Sequence, residues 1–190
     1  MELSDILYQV RTCQHCATVL PFPPQPVLCA KETARLLIVG QAPGTKVHAT
    51  GIPWNDLSGQ RLREWLQLDT ETFYDETRIA IIPMGFCYPG KSPQGGDLPP
   101  RPECAPRWHP LLLHGLPHIC LTLLIGQYAQ RYYLKSRSNL TATVRTWEHY
   151  LPNYFPLPHP SPRNTLWLKR NPWFEQEVLP ALRNQVSKVL

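Results

Sequence analysis

Four short apolar runs, separated by segments of helical spacing, restrict this chain to few architectures. The runs cover residues 34–40, 78–84, 118–126 and 153–157, and breaker residues bound them as they bound strands. Between them, residues 58–68, 104–113 and 127–134 repeat apolar positions with the period of a helix. Parallel neighbours need a crossover long enough to hold a helix. The alternation therefore predicts an α/β fold of three layers, α/β/α, with a central, mostly parallel four-stranded sheet. A chain of 190 residues, 43% of them apolar, is of the size that closes around one core, so residues 1–190 are expected to form a single domain.

Residues 171–190 open on Asn171 and Pro172, a cap residue followed by the residue favoured at the first helical position. Phe174, Val178, Leu182 and Val186 then recur every fourth residue, so one face of a closing helix is expected to pack on the sheet. The 22 prolines imply stiff, irregular connections, and with glycine they crowd into residues 88–106, which are expected to be a loop. Loops beyond about 12 to 15 residues usually hold a functional element or something that pins them. Here Cys87 and Cys104 stand at the ends.

A formal charge of +5 suits a polyanionic partner. Residues 1–10 are polar and acidic, unlike a secretory or mitochondrial leader, so the protein is expected to be cytoplasmic. No run reaches the roughly 18 apolar residues of a membrane span; no membrane association is expected, and the protein is expected to act as a monomer. In a reducing compartment the six cysteines are expected as metal ligands, buried small residues or reactive thiols rather than disulfides.

Leu36-Leu37-Ile38-Val39 ends in Gly40-Gln41-Ala42-Pro43-Gly44, at the strand end where open α/β sheets bind ligands. Glycine there lets the backbone approach a ligand and leaves N–H groups free to donate, although a plain connecting turn has the same composition. Thr50-Gly51-Ile52-Pro53-Trp54-Asn55-Asp56-Leu57-Ser58-Gly59 follows, with an aromatic and a carboxylate two residues apart before a helix. Trp54 can stack and Asp56 can polarise, but Asp56 equally suits a helix N-terminus with no catalytic part. After the fourth strand, His159-Pro160-Ser161-Pro162-Arg163-Asn164-Thr165 holds an imidazole stiffly among prolines. A pre-set imidazole can donate to charge developing on a leaving group without reorganising; a loop histidine without function is the other reading.

Together these segments resemble the two active-site motifs of uracil-DNA glycosylases, in the same order. The resemblance runs from Cys13 to Thr165 and is greatest to the iron-sulfur branch. Within that branch the chain is most similar to family five, whose motifs read Thr-Gly-x-x-aromatic-x-Asp-x-Ser-Gly and His-Pro-Ser-x-x-Asn-Thr. The resemblance implies a DNA-repair glycosylase that flips a damaged base out of DNA and hydrolyses its N-glycosidic bond. Asp56 then orients the attacking water, and His159 donates to the base carbonyl. Trp54 stacks on the base, Gly40, Gln41, Ala42 and Gly44 line its site, and Asn164 braces it. Ser161, Pro162 and Arg163 contact DNA, with Arg163 at the position of the wedge that fills the vacated stack. Family four places a base-recognising Asn on the second strand where this chain has Pro83, which leaves uracil, hypoxanthine and other deaminated bases open as substrates. Gln41, Gly44 and Leu166-Trp167 also depart from the family five pattern.

Cys13 and Cys16 form a CxxC, and with Cys87 and Cys104 they match the cluster ligands of families four and five. Four thiolates suit an iron-sulfur cluster or a tetrahedral zinc, and the resemblance favours a structural 4Fe-4S cluster. Cys29 and Cys120 have no counterpart in that quartet and are expected to be packing residues. Two rival functions stand beside the glycosylase: a catalytically silent, metal-stapled protein that binds DNA lesions, and a thiol oxidoreductase using Cys13 and Cys16.

Overall fold

Strand β1 (Leu36–Val39) lies between β2 (Ile79–Ile81) and β3 (Leu121–Ile125), with β4 (Tyr154–Leu157) beyond β3, and every pairing is parallel. The structure is a computed structural model and describes residues 2–190. Successive side chains of a strand point to opposite faces, and this divides the core in two. Leu36, Ile38, Ile79 and Ile81 face one side. There they pack against α3 (Leu57–Leu66), α4 (Thr70–Phe73), α7 (Leu140–Arg145) and α9 (Leu179–Val189). Leu37, Val39, Ala80 and Ile82 face the other side, covered by α1 (Leu3–Arg11), α5 (Cys104–His114) and α6 (Gln127–Leu134). The expected three-layer α/β/α arrangement is therefore present. Each fully buried leucine, isoleucine or phenylalanine contributes about 1.5–3 kcal/mol, so the two clusters dominate stability.

The sheet order β2-β1-β3-β4 also decides where a ligand can enter. From β1 the chain moves to β2 on one flank, then crosses to β3 on the other, so the connections diverge at the carboxyl ends of β1 and β3. That divergence opens a crevice at the strand ends. The short α2 (Thr45–Thr50) leaves β1 there, while α8 (Thr165–Arg170) follows β4.

Several boundaries differ from the sequence expectation. The strands are shorter than the apolar runs, and β4 contains Pro156, which an edge strand accepts because one side of it has no hydrogen-bonding neighbour. Helix α5 begins at Cys104, so the Pro-rich loop ends before Pro106, which sits in a first turn that needs no intrahelical donor. The closing segment is not one capped helix. Asn171 instead uses its side chain on Trp167 O (2.8 Å) and on Trp173 Nε1 (3.1 Å). The chain then passes through a π-helical turn, Phe174–Val178, into α9. Pro180, with no N–H to give, stands where the wider turn becomes α-helical. The apolar face survives this change: Phe174, Val178, Leu182 and Val186 are all buried.

Cys29 is buried, and burial pushes its thiol up to about 12. Cys120 is not a packing residue. It precedes the first residue of β3, is exposed, and sets its sulfur 3.3 Å from His118 O. No helix among the described residues is long and apolar enough to cross a membrane.

Candidate active site

The turn after β1 is shaped by the approach of Trp54. A Cβ on Gly40 would lie 2.7 Å from Trp54 Cζ2, so only glycine lets the indole reach the strand end. Trp54 itself has φ of 57°, in the left-handed region, which costs a bulky residue roughly 1–2 kcal/mol. Its surroundings compensate. Tyr74 Oη donates to Pro53 O at 2.9 Å, and Arg63, lying over the rings of Phe73 and Tyr74, brings its guanidinium to 3.4 Å from Tyr74 Oη. Trp54 O presses on the start of α3, where a Cβ on Gly59 would fall 1.6 Å from it. The glycine of the motif's Ser-Gly pair is thus a steric requirement.

Asp56 is the N-cap of α3, with Oδ1 accepting from Gly59 N at 2.8 Å. It also lines the cleft, and its second oxygen has no hydrogen-bond partner among the described residues. The capping reading holds, and the capped carboxylate belongs to a residue of the cleft wall.

His159 enters from the far half of the chain, just beyond β4. Its Nδ1 accepts from Ser161 N at 3.2 Å, so the neutral ring carries its proton on Nε2. Burial pushes the imidazole down to about 4, against the opposing pull of the Asp56 carboxylate. The loop is locked from several sides. Asn164 Nδ2 donates to His159 O at 2.7 Å, Arg61 donates to Ser161 O at 3.1 Å, and Ser161 Oγ accepts from Arg163 N at 3.2 Å. The ring lies 5.5 Å from that of Trp54.

These elements enclose a cleft of about 630 Å³. Gly40, Gln41, Ala42, Gly44, Trp54, Asp56, His159, Ser161, Arg163 and Asn164 all line it; Pro162 stands outside, exposed at the head of a 3-10 turn. Sequence reasoning missed much of the remaining wall. Val27 and Ile81 make one apolar side, beside Pro83, which the resemblance sets at the base-recognising position, and residues 91 and 95–98 of the Pro/Gly loop make another. That loop folds back on itself, with Leu98 N donating to Gly90 O and Ser92 N to Gly96 O, both at 2.8 Å. It reaches across the mouth: a Cβ on Gly96 would meet Arg163 Nη1 at 2.2 Å, and one on Gly44 would meet Asp97 Oδ2 at 3.2 Å. Its unusual length was the only signal, and that signal named no residue.

Two motif loops therefore converge on a crevice at the carboxyl edge of a parallel sheet, and the family model described as the uracil DNA glycosylase superfamily matches residues 26–183. The chain belongs to the uracil-DNA glycosylase superfamily. Proteins of the uracil-DNA glycosylase superfamily are, in general, DNA-repair hydrolases that act on DNA. The matched span contains every cleft residue named above, whereas Cys13 and Cys16 precede it.

Those two cysteines nevertheless meet the rest of this glycosylase-superfamily fold. With Cys87 and Cys104 they line one small cavity beneath Phe86 and Trp108. All six cysteines are free. Burial, then the neighbouring thiols, push Cys104 up to about 12; burial likewise takes Cys87 to about 11. Among the described residues no three His, Cys, Asp or Glu converge in a group arranged to hold a metal ion.

Proposed function

We propose that this protein is a DNA glycosylase that hydrolyses the N-glycosidic bond of uracil or another deaminated base after the nucleotide is flipped into the cleft. One observation carries the reading: Asp56 and His159, from opposite halves of the chain, line the same cleft and interact electrostatically.

Hydrolysis joins a water oxygen to C1′ of the deoxyribose while the C1′–N bond breaks, its electron pair leaving with the base. The Asp56 oxygen not engaged by Gly59 orients the water and accepts its proton. The same charge stabilises the cationic sugar as the bond lengthens. His159 donates from Nε2 to the base carbonyl as negative charge gathers on the ring. The bonds from Asn164 and Arg61 hold that donor in place before the base arrives, so no reorganisation accompanies the charge. Trp54 supplies a face for stacking, and the Gln41 and Ala42 amides a second set of donors. Extruding a base costs a few kcal/mol, least at damaged pairs. Lys91 and Arg163 at the cleft are cations for the DNA backbone, and affinity accordingly falls as salt rises. Pro83 in the wall offers no side-chain hydrogen bond, which supports a substrate range wider than uracil alone.

The proposal assigns Cys13, Cys16, Cys87 and Cys104 to a structural 4Fe-4S cluster. Four thiols lining a common cavity suit a thiolate-ligated centre, and the resemblance to the iron-sulfur branch favours a cluster there over zinc. Bound there, the cluster supplies a covalent staple between the N-terminal segment and the cleft-walling loop. Anaerobically purified protein is expected to be brown, with visible absorbance near ~400 nm and about equal iron and sulfide. Colourless, zinc-containing protein overturns this assignment.

The enzyme reading is tested with oligonucleotides containing uracil, hypoxanthine or xanthine, scored for abasic sites. The wild type is expected to release at least one base. Asp56→Asn and His159→Ala are each expected to lower the rate by about 10²-fold or more. A wild type that releases none of the three refutes catalysis and leaves lesion binding as the activity.

A further inference from the structure

Phe22 has no part in the proposed reaction, yet half of its surface is exposed beside the cleft, at 50%. Its ring stacks on that of Tyr88 (centroids 6.1 Å apart, planes at 23°) and lies 5.3 Å from that of His48, which is itself 5.7 Å from Tyr88. The two inner rings are held firmly. Tyr88 is buried and its hydroxyl accepts from Thr45 Oγ1 at 3.1 Å, while His48 Nδ1 is buried without a hydrogen-bond partner and so is kept in place by ring packing. The result is an aromatic pile whose outermost ring, that of Phe22, is half exposed.

The pile adjoins the cleft in two ways. Thr45, bonded to Tyr88, follows Gly44 of the cleft wall. Gly90 is wedged between Pro21, next to Phe22, and Leu98 of the cleft wall, since a Cβ there would lie 3.1 Å from Pro21 Cγ and 3.6 Å from Leu98 Cδ1. Two exposed lysines sit next to these contact points in the chain, Lys46 after Thr45 and Lys91 after Gly90. Neither takes part in an ion pair among the described residues.

We propose that Phe22 is a stacking platform for a nucleobase adjacent to the extruded nucleotide, with Lys46 and Lys91 on neighbouring phosphates, and that the protein thereby favours single-stranded DNA. The proposal rests on the cleft being a base-flipping site. In a duplex the base beside the extruded nucleotide stays paired and stacked on its far neighbour, with the vacated side left to the wedge, whereas in a single strand pairing does not hold it and it is free to turn onto the phenyl ring. Aromatic faces interleaved with cations are the arrangement that binds single strands, and stacking of this kind tolerates any base. Exposed lysines in the segments that pack beside an exposed aromatic ring favour a polyanion with planar groups over an apolar partner surface.

The test measures anisotropy of a labelled, uracil-containing oligonucleotide, single-stranded or duplex, on anaerobically purified Asp56→Asn protein. Adding Phe22→Ala is expected to weaken single-strand binding about tenfold, within the range for loss of one stacked base, and duplex binding less than about twofold. Phe22→Trp is expected to bind like the parent. Phe22→Leu, which keeps apolar packing without an aromatic face, is expected to bind like Phe22→Ala. Replacing the bases flanking uracil by abasic spacers, one at a time, is expected to erase the difference between parent and Phe22→Ala at one position. A difference that persists at every spacer position, its absence on the intact strand, or a Phe22→Leu protein that binds like the parent overturns the proposal. Binding is read without base release, so the two readings fail separately. Wild type that binds strands but leaves uracil in place sinks catalysis alone, and wild type that releases uracil while Phe22→Ala binds unchanged sinks the platform alone.

Discussion

Asp56 combines a capping bond with a position in the cleft, and two substitutions separate these. Asparagine keeps an oxygen for Gly59 N, so Asp56→Asn is expected to match the parent in urea unfolding to within about 0.5 kcal/mol while losing base release. Alanine removes the cap as well and is expected to cost about 1 kcal/mol more. Equal stability of the two variants contradicts the capping geometry. Gly59 answers to packing alone. A methyl group there collides with Trp54 O, so Gly59→Ala is expected to destabilise by about 1–3 kcal/mol and to disturb Trp54. Unfolding curves and tryptophan emission check both effects. At this scale the residue types were legible, because a carboxylate beside an aromatic and a histidine among prolines are local patterns. Val27 and Asp97 were not, since neither lies in a motif and only the folded chain brings them to the cleft.

At the scale of elements, the carboxyl ends of β3 and β4 are tied by one side chain. Gln130 Nε2, buried in α6, donates to Leu124 O at 3.2 Å and to Leu157 O at 2.9 Å, immediately before the loop that carries His159. Gln130→Leu fills a similar space but leaves both acceptors without this donor. It is expected to cost about 2 kcal/mol, seen as a lower urea midpoint with an unchanged slope. All four strands were legible from their apolar runs, because burial on both faces demands continuous apolar sequence. Their ends were not: Cys120 belongs to an apolar run and donates its N–H to Arg35 O at 2.8 Å, yet lies outside β3 with its side chain exposed. The closing helix was legible by its face and misread in its continuity. A four-residue repeat survives a π turn, which periodicity alone does not distinguish.

For the molecule as a whole, two histidines shape the response to acid, His109 in the core and the part-buried His159 at the cleft. Burial lowers both His109 and His159 to about 4, against about 6.5 for an exposed imidazole. Between those values the unfolded chain binds protons that the folded one does not, so stability rises with pH across the window. It is complete above about 6.5 and is lost as pH falls towards 4, each group contributing up to about 3 kcal/mol. Thermal midpoints recorded from pH 7 to 4 are expected to fall accordingly. His109→Gln, which can still donate to Pro83 O in place of Nε2, is expected to flatten part of that fall. The rate of base release is expected to show no histidine inflection between pH 8 and 5, because His159 is already neutral there; an inflection near 6.5 contradicts the part-buried, neutral imidazole.

By itself the sequence determined the α/β layering, the number of strands and the chemical kinds of residue in both motifs, since periodicity and composition are properties of short segments. Only the tertiary structure decided that Asp56 and His159 share one cleft, that Pro83 and the folded-back loop wall it, and that four cysteines from three distant segments ring one cavity. Those facts follow from the strand order β2-β1-β3-β4, which is settled by packing between residues far apart in the chain. No local pattern encodes that order.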